Sequence, residues 1–105
     1  MPLSREFKMT VKARVERDPS FRAALLSEVF DLFLSGDVST GKSVLRDYVN
    51  ATIGFEALAA RTGIPAKSLM RMVGKTGNPR AENLFAVLAA LQHATGVQLE
   101  VRAAA

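Results

Sequence analysis

Apolar residues recur at helical spacing along most of the chain. Phe7, Val11 and Val15 repeat every four residues and mark one face of a first helix. Asp18-Pro19 ends it and opens a second: Asp18 suits an N-cap, and Pro19 fits the first helical position, where its missing N–H is not needed. Phe21, Leu25, Val29, Leu32 and Phe33 form the apolar stripe of that second helix. Ser35-Gly36-Asp37 closes it, with Gly36 suited to a left-handed C-terminal cap and Asp37 to a new start. A third helix carries Val44, Leu45, Tyr48 and Val49 and is closed by Gly54. Two short helices follow within 55–74. A turn over 75–79 is punctuated by Gly77-Asn78-Pro79. A longer helix then sets Leu84, Val87, Leu88 and Leu91 on one face and ends near Gly96. Residues 97–102 alternate apolar and polar, a strand pattern, and 103–105 read as a frayed end. The expectation is one all-α domain of five to six helices. It has an N-terminal helical extension over 1–36, a core over 37–96 and a short C-terminal strand over 97–102.

Composition narrows the class. The 105 residues suffice for one buried core, and 49% hydrophobic with 23% charged residues is a globular balance. Without cysteine, neither a disulfide framework nor a cysteine metal site can form. The first twelve residues hold Arg5, Glu6, Lys8 and Lys12 and no apolar run, so they do not read as a secretory signal. No stretch has the length and apolarity to span a bilayer. A cytoplasmic protein with no membrane partner is expected.

Charge changes the picture more through its placement than its size. The net charge is +4. Within 57–81 there are five basic residues, Arg61, Lys67, Arg71, Lys75 and Arg80, and no acid; the remainder holds nine basic residues against ten acidic ones. A cationic block inside a folded segment points to a polyanion, and the bland alternative is a solvated face.

Residues 55–74 supply a mechanism for such contact. They read as two short helices joined by a tight turn at a steep angle, each too short to stand without tertiary packing. Leu58 points into the core, Ala59 sits at the close approach of the two helices, and Gly63 takes the positive φ of the turn. Ile64 re-enters the core, and Leu69 and Met72 form the buried face of the second helix, with Met70 at the rim. Ala66, Lys67, Ser68 and Arg71 are left facing outward near its N-terminal half, the part of a recognition helix that meets base edges in the major groove. Lys and Arg can donate to guanine, Ser68 can donate or accept, and Ala66 can touch a thymine methyl. Arg61, Lys75 and Arg80 flank this face and suit phosphate contacts.

Residues 54–96 resemble the lambda-repressor-like (Xre-type) helix-turn-helix family. Leu58-Ala59, Gly63, Leu69, Asn78-Pro79, Leu84 and Val87-Leu88 carry the resemblance. Gly77-Asn78-Pro79 followed by Asn83-Leu84-Phe85 is similar, more narrowly, to the HigA-like antitoxins of toxin–antitoxin pairs. The resemblance implies a five-helix fold, dimerisation, and repression of the protein's own operon by operator occlusion, with a toxin as a further partner. One departure stands out. Pro65 occupies the position where the family usually has a capping Ser or Thr, so a bond worth about 1 kcal/mol is absent or supplied differently.

Other readings compete. Residues 36–43 match the phosphate-loop pattern G-x-x-x-x-G-K-[ST] through Gly36, Gly41, Lys42 and Ser43. A phosphate loop needs a preceding buried strand, and residues 21–34 are helical in period. Ser39 and Thr40 are therefore expected as surface caps and Lys42 as a surface charge, with nucleotide binding a remote alternative. One histidine, His93, and no cysteine cannot assemble a nucleophilic triad or a His/Cys metal cluster, so no catalytic residue, metal or cofactor is expected. His93 itself reads as a surface or capping residue, and Tyr48 as a core-edge residue whose hydroxyl reaches water. Val97, Leu99 and Val101 would line one face of a strand that has no partner in its own chain. Antiparallel pairing in a homodimer, or addition to a toxin partner, would satisfy it. A helical protein-interaction module without DNA binding is the main functional alternative.

Overall fold

The computed structural model describes residues 4–105, so the first three residues of the N-terminal extension lie outside it. The described chain is all-helical: α1 (Arg5–Arg17), α2 (Pro19–Leu34), α3 (Val38–Ala51), α4 (Gly54–Thr62), α5 (Ala66–Met72) and α6 (Ala81–Thr95). The punctuation acts as the residue chemistry requires. Asp18 Oδ1 accepts from the Ser20 and Phe21 amides at the start of α2, with Pro19 in the first turn, and Asp37 Oδ1 accepts from the Thr40 amide of α3. At the end of α2 the Asp37 amide donates to Leu32 O and the Gly36 amide to Phe33 O, with Gly36 at φ 91°. This is the paired bonding of a Schellman cap.

The core joins all of the last five helices. Leu26 and Val29 of α2, Leu45, Tyr48 and Val49 of α3, Phe55 and Leu58 of α4, Leu69 of α5 and Val87, Leu88 and Leu91 of α6 form one buried cluster with Val73 and Val97. α2 packs most extensively on α3, while α4 touches both α5 and α6. α1 lies at the edge against α2 and α3. Of its expected apolar face only Val15 is buried; Val11 is half-buried and Phe7 is 52% exposed. Two contacts fasten this helix. Arg22 Nη1 donates to Val15 O at 2.7 Å, and the Arg14 guanidinium lies 4.4 Å from the Phe21 ring centroid.

Four expectations need correction. First, residues 97–102 form no strand, and no strand occurs among the described residues. Val97 is buried in the chain's own core, Leu99 packs against it, and the Leu99 amide donates to Gln92 Oε1 at 2.8 Å. Val101 is 71% exposed. The alternation therefore reflects an extended tail docked on α6, whose backbone need is met in part by the Gln92 side chain. Second, Lys42 is buried rather than a surface charge. It is 7% exposed, and its Nζ donates to Gly77 O at 2.6 Å. Third, the Tyr48 hydroxyl does not reach water: it is fully buried and donates to Thr95 Oγ1 at 2.8 Å. Fourth, α3 ends at Ala51, and Gly54, at φ 79°, begins α4.

The segment matching a phosphate loop spans a helix end, a cap and the first turns of α3. Gly41 lies inside α3, and a Cβ there would sit 2.5 Å from Phe33 Cδ1, so the glycine is a packing requirement of the α2–α3 contact. Ser39 and Thr40 are exposed, as expected, but they lie in the first turn of α3, and Asp37 rather than either of them is its cap.

Candidate nucleic-acid interface

The geometry of 54–80 begins with Gly63. It stands between α4 and α5 at φ 75°, ψ 6°, where its amide donates to Ala59 O. A left-handed residue at this point reverses the chain, and glycine adopts it without a Cβ penalty. On either side the apolar residues turn inward. Leu58 and Leu69 are each 1% exposed, and Ala59, Ile64 and Met72 pack against the core. Met70 is 46% exposed, at the rim. The two helices are too short to persist alone, so this shared burial fixes them.

α5 starts without a side-chain cap. Pro65 is its N-cap residue, at φ −56° and ψ 143°, and offers no acceptor. The Thr62 hydroxyl accepts instead from the Ile64 amide at 3.2 Å, which stiffens the turn before α5.

The structure separates the four residues expected to read bases. Lys67 and Arg71 are exposed. Four residues apart on α5, they stand one above the other on the same face. Ser68 is half-buried, and Ala66 packs partly against the core. Any reach of the latter two is therefore shorter than that of the two cations. The three residues expected to meet phosphate are all exposed: Arg61 in the last turn of α4, Lys75 in the turn after α5 and Arg80 as the N-cap residue of α6. Among the described residues the ion pairs are Arg14–Asp18 and Arg102–Glu100, so none of these five cations is neutralised within the chain.

Two residues assigned no part in this surface from the sequence, Gly77 and Lys42, hold it in place. Gly77 tucks against the end of α5, where an added Cβ would collide with the Arg71 and Met72 carbonyl oxygens. Its own carbonyl takes the Lys42 bond from α3. The turn bearing Lys75 and leading to Arg80 is thus tied at one residue to both α5 and α3. Gly77 was visible as turn punctuation. Nothing in the sequence links it to a lysine 35 positions away.

Val97, Leu99 and Val101 do not form a shared outward face, because the first two are held in their own chain. Among the described residues there is no group of three His, Cys, Asp or Glu side chains that could hold a metal ion, and no helix is long and apolar enough to cross a membrane. His93 is exposed near the end of α6. No family model, curated protein or solved structure matches the chain.

Proposed function

We propose that this chain is a sequence-specific DNA-binding regulator of the Xre type, placing α5 in the major groove and repressing by occupying its operator. The observation that carries this reading is the coincidence of two independent features in one segment. Residues 54–72 form two short helices around a left-handed glycine, and the exposed face of the second carries Lys67 and Arg71 at the centre of an acid-free cationic stretch with no internal ion pairs. A merely solvated charged face would mix both signs. A groove-reading helix needs long donors on its outer face and phosphate-binding cations around it.

The narrower role, an autorepressing antitoxin with a toxin partner, is supported by the similarity of Gly77-Asn78-Pro79 and Asn83-Leu84-Phe85 to that group. Two copies on a near-palindromic site belong to this reading. They would pair through a surface other than 97–101, since Val97 and Leu99 are occupied within one chain.

The test is binding of the purified protein to the DNA upstream of its own gene, against a scrambled duplex, at two salt concentrations. Selective binding that weakens with salt is expected, because phosphate contacts displace counterions. Equal, weak binding to both duplexes would favour the protein-interaction module over the operator-binding regulator.

A further inference from the structure

A cleft of about 410 Å³ opens between α1 and α3. From α1 it is lined by Arg5, Lys8 and Lys12, all exposed and spaced so that they follow one side of the helix. From α3 it is lined by Asp47, half-buried, and Asn50, one turn further along. Half-buried Val11 and buried Ala51 add apolar lining. The two helices thus bring opposite charges to one cleft, yet no ion pair joins them. The ion pairs among the described residues lie elsewhere, at Arg14–Asp18 and Arg102–Glu100. Nor do these five polar side chains make a hydrogen bond among the described residues. Every donor and acceptor that lines the cleft is therefore available, and three cations against one carboxylate leave an excess of positive charge.

We propose that this cleft binds a small phosphate monoester whose body carries hydrogen-bond donors, of the size of a nucleoside monophosphate. The phosphate, with a charge of about −1.5 to −2 at neutral pH, accepts from Arg5, Lys8 and Lys12 and answers the excess. Asp47 accepts from N–H or O–H groups of the body, and the Asn50 amide can both donate and accept beside it. The volume lies in the range of pockets that hold organic ligands. Other classes of occupant fit this lining badly. An apolar body leaves every charge unanswered, and an organic cation meets three like charges. A duplex backbone sets a run of phosphates against the Asp47 carboxylate. The site does not rest on the DNA-binding reading, because its occupancy is measured on the protein alone.

The experiment titrates guanosine 5′-monophosphate into isotopically labelled full-length protein and follows amide resonances. Guanosine, which lacks the phosphate, and inorganic phosphate, which lacks the body, are the matched probes. The nucleotide is expected to shift Lys8, Asn50 and Ala51 saturably, and each matched probe to bind about tenfold more weakly. Lys8→Gln changes an exposed position and is expected to weaken the nucleotide about tenfold, with guanosine unaffected and the folded spectrum retained. Asp47→Asn keeps the shape and removes the charge, so it separates the two ends of the ligand. It is expected to strengthen inorganic phosphate and to weaken guanosine. Equal affinity for the nucleotide and inorganic phosphate would mark an undiscriminating cationic face and overturn the proposal. So would no binding, undiminished nucleotide binding in Lys8→Gln, or an Asp47→Asn variant that changes neither probe. Shifts centred on α5 would put the nucleotide on the proposed DNA-binding surface and overturn it as well.

Discussion

Lys67 and Arg71 stand one helical turn apart on α5, exposed and without an acidic partner, while Ala66 and Ser68 beside them are drawn toward the core. Their roles in the proposed function separate by substitution. Lys67→Ala and Arg71→Ala are each expected to cost about 1–3 kcal/mol of binding to the preferred duplex and to relax its sequence preference. Lys75→Ala is expected to weaken all duplexes alike and to flatten the salt dependence. Folded stability in all three should stay within about 0.5 kcal/mol, since the side chains are exposed and make no ion pairs. Competition binding across a set of duplex variants, with thermal melts alongside, checks the pattern. Tyr48 gives a residue-scale prediction of another kind. Burial raises its pKa above the usual 10.0, opposed by the Thr95 hydroxyl and the Arg22 charge. The folded state therefore holds the proton more tightly than the unfolded chain. Its contribution is fully present below pH 10 and is lost as pH rises through the folded-state pKa. Alkaline melts should show this loss in the wild type and not in Tyr48→Phe, which should also lose about 1 kcal/mol at neutral pH with the Thr95 bond. At this scale the sequence exposed the outward placement of Lys67 and Arg71, where period and charge agree, but not the partial burial of Ala66 and Ser68. It did not expose Lys42 or the Tyr48 hydroxyl. A lysine defaults to the surface and a phenol to the core edge, and only tertiary neighbours, Gly77 O and Thr95 Oγ1, reverse those defaults.

At the scale of elements, local signals were the legible ones. Asp18-Pro19, Gly36-Asp37, Gly63 and Gly96 each mark a helix end whose cause lies within a few residues, and the six helices follow from them and from the apolar period except at the α3–α4 junction, where Gly54 opens α4 instead of closing α3. The C-terminal tail is not legible in the sequence, because alternation alone does not distinguish a strand seeking a partner from an extended segment laid on its own helix. Gln92 decides the matter by taking the Leu99 amide, a contact that no short-range pattern announces. The two readings predict different variants. Removal of 101–105 should leave both the melting temperature and the oligomeric state unchanged, whereas Leu99→Asp should destabilise the fold by burying a charge against α6. Thermal denaturation with light scattering distinguishes them: a truncation that shifts the oligomeric state would restore the pairing strand. The turn over 75–79 carries its own prediction. Gly77→Ala forces a Cβ against the carbonyls of Arg71 and Met72, so it should lower stability by about 1–3 kcal/mol. It should also weaken DNA binding beyond what stability explains, because Lys75 and Arg80 move with the turn.

For the whole molecule, dimensions and charge set the terms of the proposed encounter with DNA. The domain measures 37 × 35 × 29 Å, close to the roughly 34 Å of one duplex turn. One copy with one α5 therefore suits one half-site, and a near-palindrome would take two. The cations of 61–80 lie in one acid-free segment, and under the proposed function it is this segment that would approach a polyanion. The most direct measurement is selection from a randomised duplex pool by the full-length protein at moderate salt, repeated with Arg71→Ala. Enrichment of a short motif by the wild type, with that motif lost or altered at specific positions in Arg71→Ala, is the predicted result. A pool that stays random, or the same motif enriched by both proteins, would contradict the assignment of α5 as the reading helix.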